Sequence, residues 1–362
     1  MTITISRRGL VQGASLIATA APAAAQTSVT PVIRLHLNEN PYGPSDRAKA
    51  AIQAALDDGW MYDNEDVGAL RRMIAAKEGL KPDNVFICEG STELLKIAGM
   101  IFAGAEKELV AGLPTFTSMP HYASRSGGKV QWVNVDRDHR LDLSAMESRV
   151  SDNTGAVYIC NPNNPTGTVV PTAQLKSFIE IVSTRALVVV DEAYIDLVDD
   201  PVGTTVVDQV KFGRNVLIAR TFSKIHGIAG LRVGYGLAQP AVIRRLEEMR
   251  ISVPNRMGLK AALASYQDTE FLDYSRKMVR ASVALTHAFF DKTKVKYIPS
   301  QANFVLFDTG ISSVDFATAL RAKGVLVNPQ FEPEDSWCRV SMGKLEHMEV
   351  FAAAARGLLK KT

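Results

Sequence analysis

Seven short apolar segments alternate along the chain with stretches of helical spacing, and this alternation limits the possible folds more than any other feature. Between the segments, apolar residues recur three or four positions apart, as in Leu94, Leu95, Ala98 and Ile101, which predicts helices. Buried strands that alternate with helices are typical of a mostly parallel sheet covered on both faces. The sequence therefore predicts an α/β fold with a seven-stranded sheet formed by residues 85–88, 108–111, 130–135, 156–160, 186–190, 216–221 and 232–237.

A second, smaller layer is predicted after the seventh strand. Residues 268–292 have the spacing of one long helix, and residues 303–307, 325–327 and 337–341 have the pattern of strands. No repeat, low-complexity tract or Gly/Ser linker separates the two parts, so we expect them to pack closely. We predict a large domain over 51–275, a small α/β domain over 276–362, and an N-terminal arm over 26–50 that contributes to the small domain.

The first 25 residues have the organisation of an export signal. Arg7 and Arg8 precede a weakly apolar stretch over 11–21, and small residues follow at 22–25. This order resembles a twin-arginine signal, which predicts a periplasmic protein exported after folding. The apolar stretch is too short to span a bilayer. The alternative is a cytoplasmic protein with an N-terminal extension.

Charge and motifs argue against several functional classes. The formal net charge is +3, which gives no sign of a nucleic-acid partner. Cys88, Cys160 and Cys338 are isolated and the six histidines form no ligand pattern, so neither a disulfide framework nor a protein-bound metal is predicted. Residues 188–193 look like a Walker B strand, but no P-loop motif occurs, and no GxGxxG follows a strand. Nucleotide hydrolysis and dinucleotide binding are therefore not supported.

Polar motifs follow four of the predicted strands, at the positions where open α/β sheets bind their ligands. The carboxyl ends of parallel strands meet at one edge of a sheet, so we expect the four motifs to hold one ligand. They are EGST at 89–92, NPNNPTG at 161–167, DEAY at 191–194 and RTFSK at 220–224.

Together with LNENPYGP at 37–44, these motifs resemble the fold-type I pyridoxal-phosphate aminotransferases, and LNENPYGP is similar to the histidinol-phosphate aminotransferase branch. The resemblance extends from about residue 35 to about residue 343, with the motifs in the family's order and spacing. It implies the aspartate aminotransferase-like fold and pyridoxal 5'-phosphate (PLP) as cofactor. It also implies ping-pong transfer of an amino group from an amino acid to a 2-oxo acid such as 2-oxoglutarate.

The resemblance assigns the central chemistry to a few residues. Lys224 would bond covalently to the cofactor, and nearby cations would keep its amine nucleophilic. Asp191 would pair with the pyridine nitrogen and keep it protonated, which makes the ring an electron acceptor. Tyr194 and Asn164 would hydrogen-bond the ring's phenolic oxygen.

The same resemblance implies how the rest of the cofactor is bound. Phe116 would stack on the ring. Tyr62 would reach the phosphate bound by the partner subunit, which implies a homodimer. The start of a helix predicted over 93–102, together with hydroxyl groups and an arginine, would bind the phosphate. These phosphate-binding residues are Gly90, Ser91, Thr92, Thr221, Ser223 and Arg232.

The predicted substrate pocket departs from the histidinol-phosphate branch at one position. Arg339 matches the arginine that binds the substrate's carboxylate, and Asn303, Asn40 and Tyr42 are expected beside the same pocket. Where that branch has a basic residue for the substrate's phosphate, this chain has Asn328, and an amide cannot form a charge-assisted fork. We therefore hypothesise that the donor is an unphosphorylated amino acid, aromatic or otherwise apolar.

Three alternatives to that hypothesis stay open. The first is histidinol-phosphate aminotransferase itself, and the second is a PLP-dependent decarboxylase, lyase or racemase that uses the same cofactor residues. The third is a non-catalytic binding module with this fold, which the presence of Lys224 disfavours.

Overall fold

The computed structural model describes residues 32–62, 65–331 and 334–359. Its strands are β1 Ile33–Arg34, β2 Val85–Cys88, β3 Glu108–Leu113, β4 Lys129–Asn134, β5 Thr154–Cys160, β6 Leu187–Asp191, β7 Val216–Thr221, β8 Gly234–Ala238, β9 Tyr297–Ile298, β10 Phe304–Asp308, β11 Val325–Leu326, β12 Asn328–Phe331 and β13 Glu334–Ser341. Its α-helices are α1 Asp46–Ala55, α2 Glu65–Glu78, α3 Ser91–Ala103, α4 Ser118–Arg125, α5 Leu143–Ser148, α6 Thr172–Val182, α7 Pro201–Thr204, α8 Val207–Lys211, α9 Pro240–Glu248, α10 Arg256–Tyr266, α11 Thr269–Thr293, α12 Ser313–Ala322 and α13 Leu345–Ala355.

The seven predicted strands form one central sheet in the order β2-β8-β7-β6-β5-β3-β4. Neighbouring strands are parallel except at β8, which is antiparallel to both β7 and β2. The prediction of a mostly parallel α/β sheet is therefore confirmed. The register pairs Asp191 with Cys160 on one side and with Ala219 on the other, so the carboxyl ends of β5, β6 and β7 lie side by side.

The central strand β6 shows why these segments are almost wholly apolar. Val188 and Val190 belong to one apolar cluster with residues of α6, whereas Leu187 and Val189 belong to another with residues of α3. Successive side chains of a strand point to opposite faces, so helices on both faces bury every position. Asp191 ends the strand, and its carboxylate therefore lies at the carboxyl edge of the sheet.

The ends of α3 and α11 follow from local sequence. Gly90 precedes α3 with φ +74°, and the helix begins at Ser91, two residues before the predicted start. The side chain of Asp268 accepts the N–H of Phe271 and caps α11. Lys294, with φ +57°, ends α11, which agrees with the helix predicted over 268–292 to within one residue.

A second sheet, in the order β12-β13-β10-β9, is antiparallel, and β1 pairs with β11 in a separate parallel pair. The single strand predicted over 325–327 is wrong in extent, because β11 pairs with β1 while the chain continues as β12 beside β13. Phe290, Phe307 and Phe351 lie in the apolar cluster of this part, with 4.6 Å between the ring centres of Phe290 and Phe307. The residues from Val32 onward form one compact unit, and the predicted domain boundaries stay a prediction.

A buried ionic network connects β7 with α2. Arg220 donates to Glu78 over 2.7 Å, to Glu192 over 2.9 Å and to the hydroxyl of Thr205 over 2.7 Å. Both carboxylates are largely shielded from water, so each depends on the guanidinium to offset its desolvation. The network holds the strand that leads to Lys224 against the helix layer.

The predicted signal over 1–25 and the first part of the predicted arm, 26–31, lie outside the described residues. Within the described ranges, no helix is long and apolar enough to cross a membrane.

Candidate active site

The carboxyl ends of β5, β6 and β7 border a cavity of about 900 Å³. Residues after β2 and β3, the segment 37–39 and residues of β4, β12 and β13 also line it. The parallel register brings the predicted motifs together here, although they are far apart in the chain. The predicted site residues that line the cavity are Ser91, Thr92, Phe116, Asn164, Asp191, Tyr194, Thr221, Ser223, Lys224, Arg232 and Arg339.

Lys224 lies in the cavity wall with its amine partly shielded from water. Its Nζ donates to the backbone oxygen of Asn38 over 3.0 Å and lies 5.3 Å from the ring centre of Tyr194. Burial lowers the pKa of the amine to about 8, Arg339 adds to the effect, and Asp191 opposes it. Near neutral pH, more of this amine is unprotonated than in an ordinary lysine, as attack on a carbonyl group requires.

Asp191 is buried, and each of its oxygens accepts a hydrogen bond. The hydroxyl of Tyr158 donates to Oδ2 over 3.0 Å, and the backbone N–H of Ala193 donates to Oδ1 over 3.1 Å. Burial raises the pKa of the carboxyl to about 6, while these two hydrogen bonds and the charge of Lys224 oppose the rise. The carboxylate is therefore held in one orientation at the edge of the sheet, where it can pair with a cationic ring nitrogen.

Gly90, the start of α3 and Arg232 form a cradle suited to an anion. A Cβ on Gly90 would lie 2.2 Å from Nη2 of Arg232, so only glycine allows this close approach. Arg232 also donates to the backbone oxygen of Ala229 over 2.9 Å, and Thr221 donates to the hydroxyl of Ser223 over 2.9 Å. The helix N-terminus, the hydroxyl groups and the guanidinium together match the chemistry of a phosphate.

Arg339, on β13, supplies a second guanidinium to the cavity wall. It donates through Nη1 to the side-chain oxygen of Asn164 and through Nη2 to the backbone oxygen of His36 over 3.1 Å. Its Cζ lies 5.3 Å from the ring centre of Phe304, and burial lowers its pKa. In the β12–β13 register it lies opposite Asn328, which also lines the cavity.

Three predicted substrate residues are not among those that line the cavity. Asn303 donates to the backbone oxygens of Asn38 and Glu39 over 3.0 and 3.2 Å. Asn40 donates to the backbone oxygen of Ile225 over 2.9 Å, and Tyr42 packs edge-on against another tyrosine. In the described structure these three side chains position the segment around residue 38. Their predicted contact with substrate stays a prediction.

Asn38 is a cavity residue that the sequence reasoning passed over. Its backbone oxygen accepts from Lys224, its side chain donates to the hydroxyl of Tyr194 over 3.0 Å, and the hydroxyl of Ser341 donates to its Oδ1 over 2.7 Å. The LNENPYGP motif contains Asn38, so a local signal existed. Trp132 of β4 also lines the cavity, but nothing in its strand pattern signals that position.

The family model for the class I and II aminotransferases matches residues 30–355. The chain belongs to this family. It is 37% identical over 337 residues to the histidinol-phosphate aminotransferase of Moorella thermoacetica, covering 92% of this chain and 87% of that protein. It is also 36% identical over 332 residues to the histidinol-phosphate aminotransferase of Symbiobacterium thermophilum, and this match covers 91% of each chain. The histidinol-phosphate aminotransferase of Sinorhizobium meliloti, solved in complex with PLP, has a TM-score of 0.82 at 27% identity, covering 91% of this chain and 90% of that one.

This class I and II aminotransferase is a PLP-dependent transaminase, and the expectations of fold, cofactor and reaction type are confirmed. The described residues fit the cofactor, because Gly90 lets the Arg232 guanidinium approach the start of α3, where a Cβ would displace it, and because Asp191 offers an oriented carboxylate. The family favours amino transfer over the decarboxylase, lyase and racemase alternatives.

Proposed function

We propose that the enzyme transfers the amino group of histidinol phosphate to a 2-oxo acid such as 2-oxoglutarate. The observation that carries this proposal is that the relatives matching nine-tenths of the chain are histidinol-phosphate aminotransferases. Arg339 supports it, since a buried guanidinium in the same cavity as Lys224 can bind the anionic group of a substrate.

A second candidate donor is an unphosphorylated amino acid with an aromatic or apolar side chain. Asn328 favours it, because a neutral amide lies beside Arg339 where the histidinol-phosphate branch is expected to carry a cation. Trp132 also favours it, since its ring lines the cavity and offers an apolar surface.

The two candidates are separated by measuring kcat/KM of the PLP-loaded enzyme for histidinol phosphate and for a panel of free amino acids. The oxo products are identified by mass spectrometry. Histidinol phosphate should exceed every free amino acid by a wide margin, and a free aromatic or apolar amino acid as the best donor would overturn the first candidate in favour of the second.

Asn328 itself can be tested with two variants. Asn328→Arg adds the cation and should raise kcat/KM for histidinol phosphate about tenfold, the usual scale of one hydrogen bond to a charged group. Asn328→Gln keeps the amide and serves as the matched control. If kcat/KM for histidinol phosphate is unchanged in Asn328→Arg, the amide does not limit phosphate binding.

In the proposed mechanism, Lys224 is the base that accepts the substrate's proton. Its Nζ would hold the cofactor and, once free, would remove the proton from the carbon that bears the substrate's amino group. When bound, PLP supplies the ring that accepts the electrons left on this carbon. Asp191 keeps a proton on the ring nitrogen, and the lowered pKa of Lys224 lets the amine act as a base near neutral pH.

The remaining cavity residues are proposed to orient the reacting groups. Asn164 accepts from Arg339, which leaves its amide N–H groups for the phenolic oxygen of the ring, where Tyr194 also donates. Phe116 is proposed to stack on the ring. The phosphate is proposed to bind to Gly90, Ser91, Thr92, Thr221, Ser223 and Arg232.

The donor and the acceptor are proposed to use the same site in turn. Both carry an anionic group that Arg339 can bind, so one must leave before the other enters. Initial-rate plots at several acceptor concentrations should therefore be parallel. Intersecting plots would show that both substrates bind at once and would contradict this sequence.

The enzyme is proposed to act as a homodimer in which Tyr62 reaches the partner's phosphate site. The side chains of Leu56, Trp60 and Tyr62 are exposed, as are Ile251 and Val253 of the segment before α10. Light scattering should give twice the chain mass. Mixing Lys224→Ala with Tyr62→Ala subunits should restore activity, since one site of a mixed dimer keeps both residues; no recovery would contradict a shared site.

Residues 1–25 are proposed to direct export through the twin-arginine route, on the order of Arg7, Arg8, the apolar stretch and the small residues. Fractionation should find the protein in the periplasm, and Arg7→Lys with Arg8→Lys should retain it in the cytoplasm. A cytoplasmic wild-type protein with its first 25 residues intact would support the alternative.

A further inference from the structure

Tyr158 lies one strand away from Asp191 and is wholly buried, yet it carries a hydroxyl group. Its ring packs in the apolar cluster on one face of the central sheet. A phenylalanine would fill that space without bringing a polar atom into it. The hydroxyl donates to Oδ2 of Asp191 over 3.0 Å, so the position combines core packing with a direct contact to the carboxylate.

The direction of this hydrogen bond follows from the surroundings. Burial and the negative charge of Asp191 raise the pKa of the Tyr158 hydroxyl well above its usual value. The phenol therefore keeps its proton and donates it. A donor stabilises the ionised carboxylate and not the protonated one, so Tyr158 acts on the charge of Asp191 as well as on its orientation.

The other groups around Asp191 do not make this donor redundant. The backbone N–H of Ala193 is bonded to Oδ1. Lys224 favours the ionised carboxylate, whereas burial and the charge of Glu192 disfavour it. Cys160 and Tyr194 lie close enough to interact with the carboxylate, and burial raises the pKa of both. Tyr158 is thus the side-chain donor that holds Oδ2.

We propose that Tyr158 is a positioning residue that keeps the Asp191 carboxylate ionised and in one orientation, so that it binds the protonated ring nitrogen of PLP. The inference rests on the proposed role of Asp191. Tyr158 does not line the cavity, and its effect on the reaction passes entirely through that carboxylate.

The test compares binding of PLP with binding of its analogue in which carbon replaces the ring nitrogen. Only PLP can use Asp191, so the ratio of the two dissociation constants measures that contact without any turnover. Tyr158→Phe keeps the ring packing and should reduce the preference for PLP about tenfold, the scale of one hydrogen bond to a charged group. Tyr235→Phe is the matched control, since it removes another buried hydroxyl from the same sheet and should leave the ratio unchanged.

The pH dependence of the same ratio gives a second readout. In the wild-type enzyme the preference should decline as the pH falls through about 6, when Asp191 gains a proton. In Tyr158→Phe the decline should begin about one pH unit higher, because the ionised carboxylate has lost a donor. Thermal denaturation of the cofactor-free variants checks that each is folded.

Asp191→Asn separates failure of this inference from failure of the proposed function. If Asp191→Asn loses the preference for PLP while Tyr158→Phe keeps it at every pH, Tyr158 is only a core residue and the inference is overturned. If Asp191→Asn keeps the preference, the proposed role of Asp191 itself is wrong. Loss of the preference in both variants, with Tyr235→Phe unchanged, supports the inference.

Discussion

Replacing Gly90 by alanine is expected to weaken PLP binding by displacing Arg232. The new Cβ would lie 2.2 Å from Nη2 and 2.9 Å from Cζ of that arginine. Ordinary carbon contacts begin at about 3.5 Å, so the guanidinium must move by about 1.3 Å. The alanine must also adopt the positive φ of +74°, which strains any residue with a Cβ.

The size of the effect follows from the interaction that is lost. A hydrogen bond to a charged group contributes about 1.5–3 kcal/mol, and each 1.4 kcal/mol is a factor of ten in a dissociation constant. The dissociation constant for PLP should therefore rise about 10- to 100-fold. Titration of the cofactor-free protein with PLP, followed by visible absorbance, measures it.

Two comparisons separate displacement of the arginine from backbone strain. Gly213→Ala places a Cβ at φ +76° with no atom within 4 Å, so it should lower stability by about 1 kcal/mol and leave PLP affinity unchanged. In an Arg232→Gln background the long guanidinium is gone, and Gly90→Ala should add little. An equal effect of Gly90→Ala in both backgrounds would refute the reasoning.

Three further predictions concern the amine, the core and the buried ion pairs. In the cofactor-free protein, labelling of Lys224 by an amine-reactive probe, measured by mass spectrometry, should rise with pH to a midpoint near 8. The reason is that burial lowers the pKa of this amine and favours its neutral form, and a midpoint above 10 would contradict it. In denaturant titrations, Phe290→Ala should lower the free energy of unfolding by about 3–5 kcal/mol, because Phe290 is buried in the core. Phe212→Ala, at an exposed position, should lower it by less than about 1 kcal/mol. Equal losses would count against the assigned core. Arg220→Met leaves two buried carboxylates without a counter-charge and should lower the free energy of unfolding by about 3–5 kcal/mol. Arg214→Ala, at a more exposed pair, should lower it by less than about 1 kcal/mol. A small effect of Arg220→Met would show that the buried network is dispensable.

The inner strands of the central sheet were predictable because helices cover both faces, so that a strand such as β6 is a continuous apolar segment. That property is local, and it holds for β6 whatever its neighbours are. The order of the strands, the antiparallel direction of β8 and the division between β11 and β12 depend on pairing between distant segments. No local pattern contains that information.

The site residues likewise divide into those that a local pattern indicates and those that the tertiary structure decides. Lys224 and Asp191 were predictable because each is a charged residue at or shortly after the end of an apolar strand, within a motif. Asn40, Tyr42 and Asn303 belong to motifs as well, yet they are not among the residues that line the cavity. A motif indicates that a segment is near the site, whereas the backbone path decides which side chain reaches it.

From the residues alone follow the α/β class and the charged groups at the strand ends, because apolar periodicity and charged strand ends are local in the chain. The PLP chemistry and the roles of Lys224 and Asp191 were implied by the resemblance of the motifs to a known family. Only the folded chain places the Tyr158 hydroxyl on Asp191, 33 residues away, and Gly90 against Arg232. Those contacts depend on strand register and on distances of a few ångströms, which are set when the elements pack together.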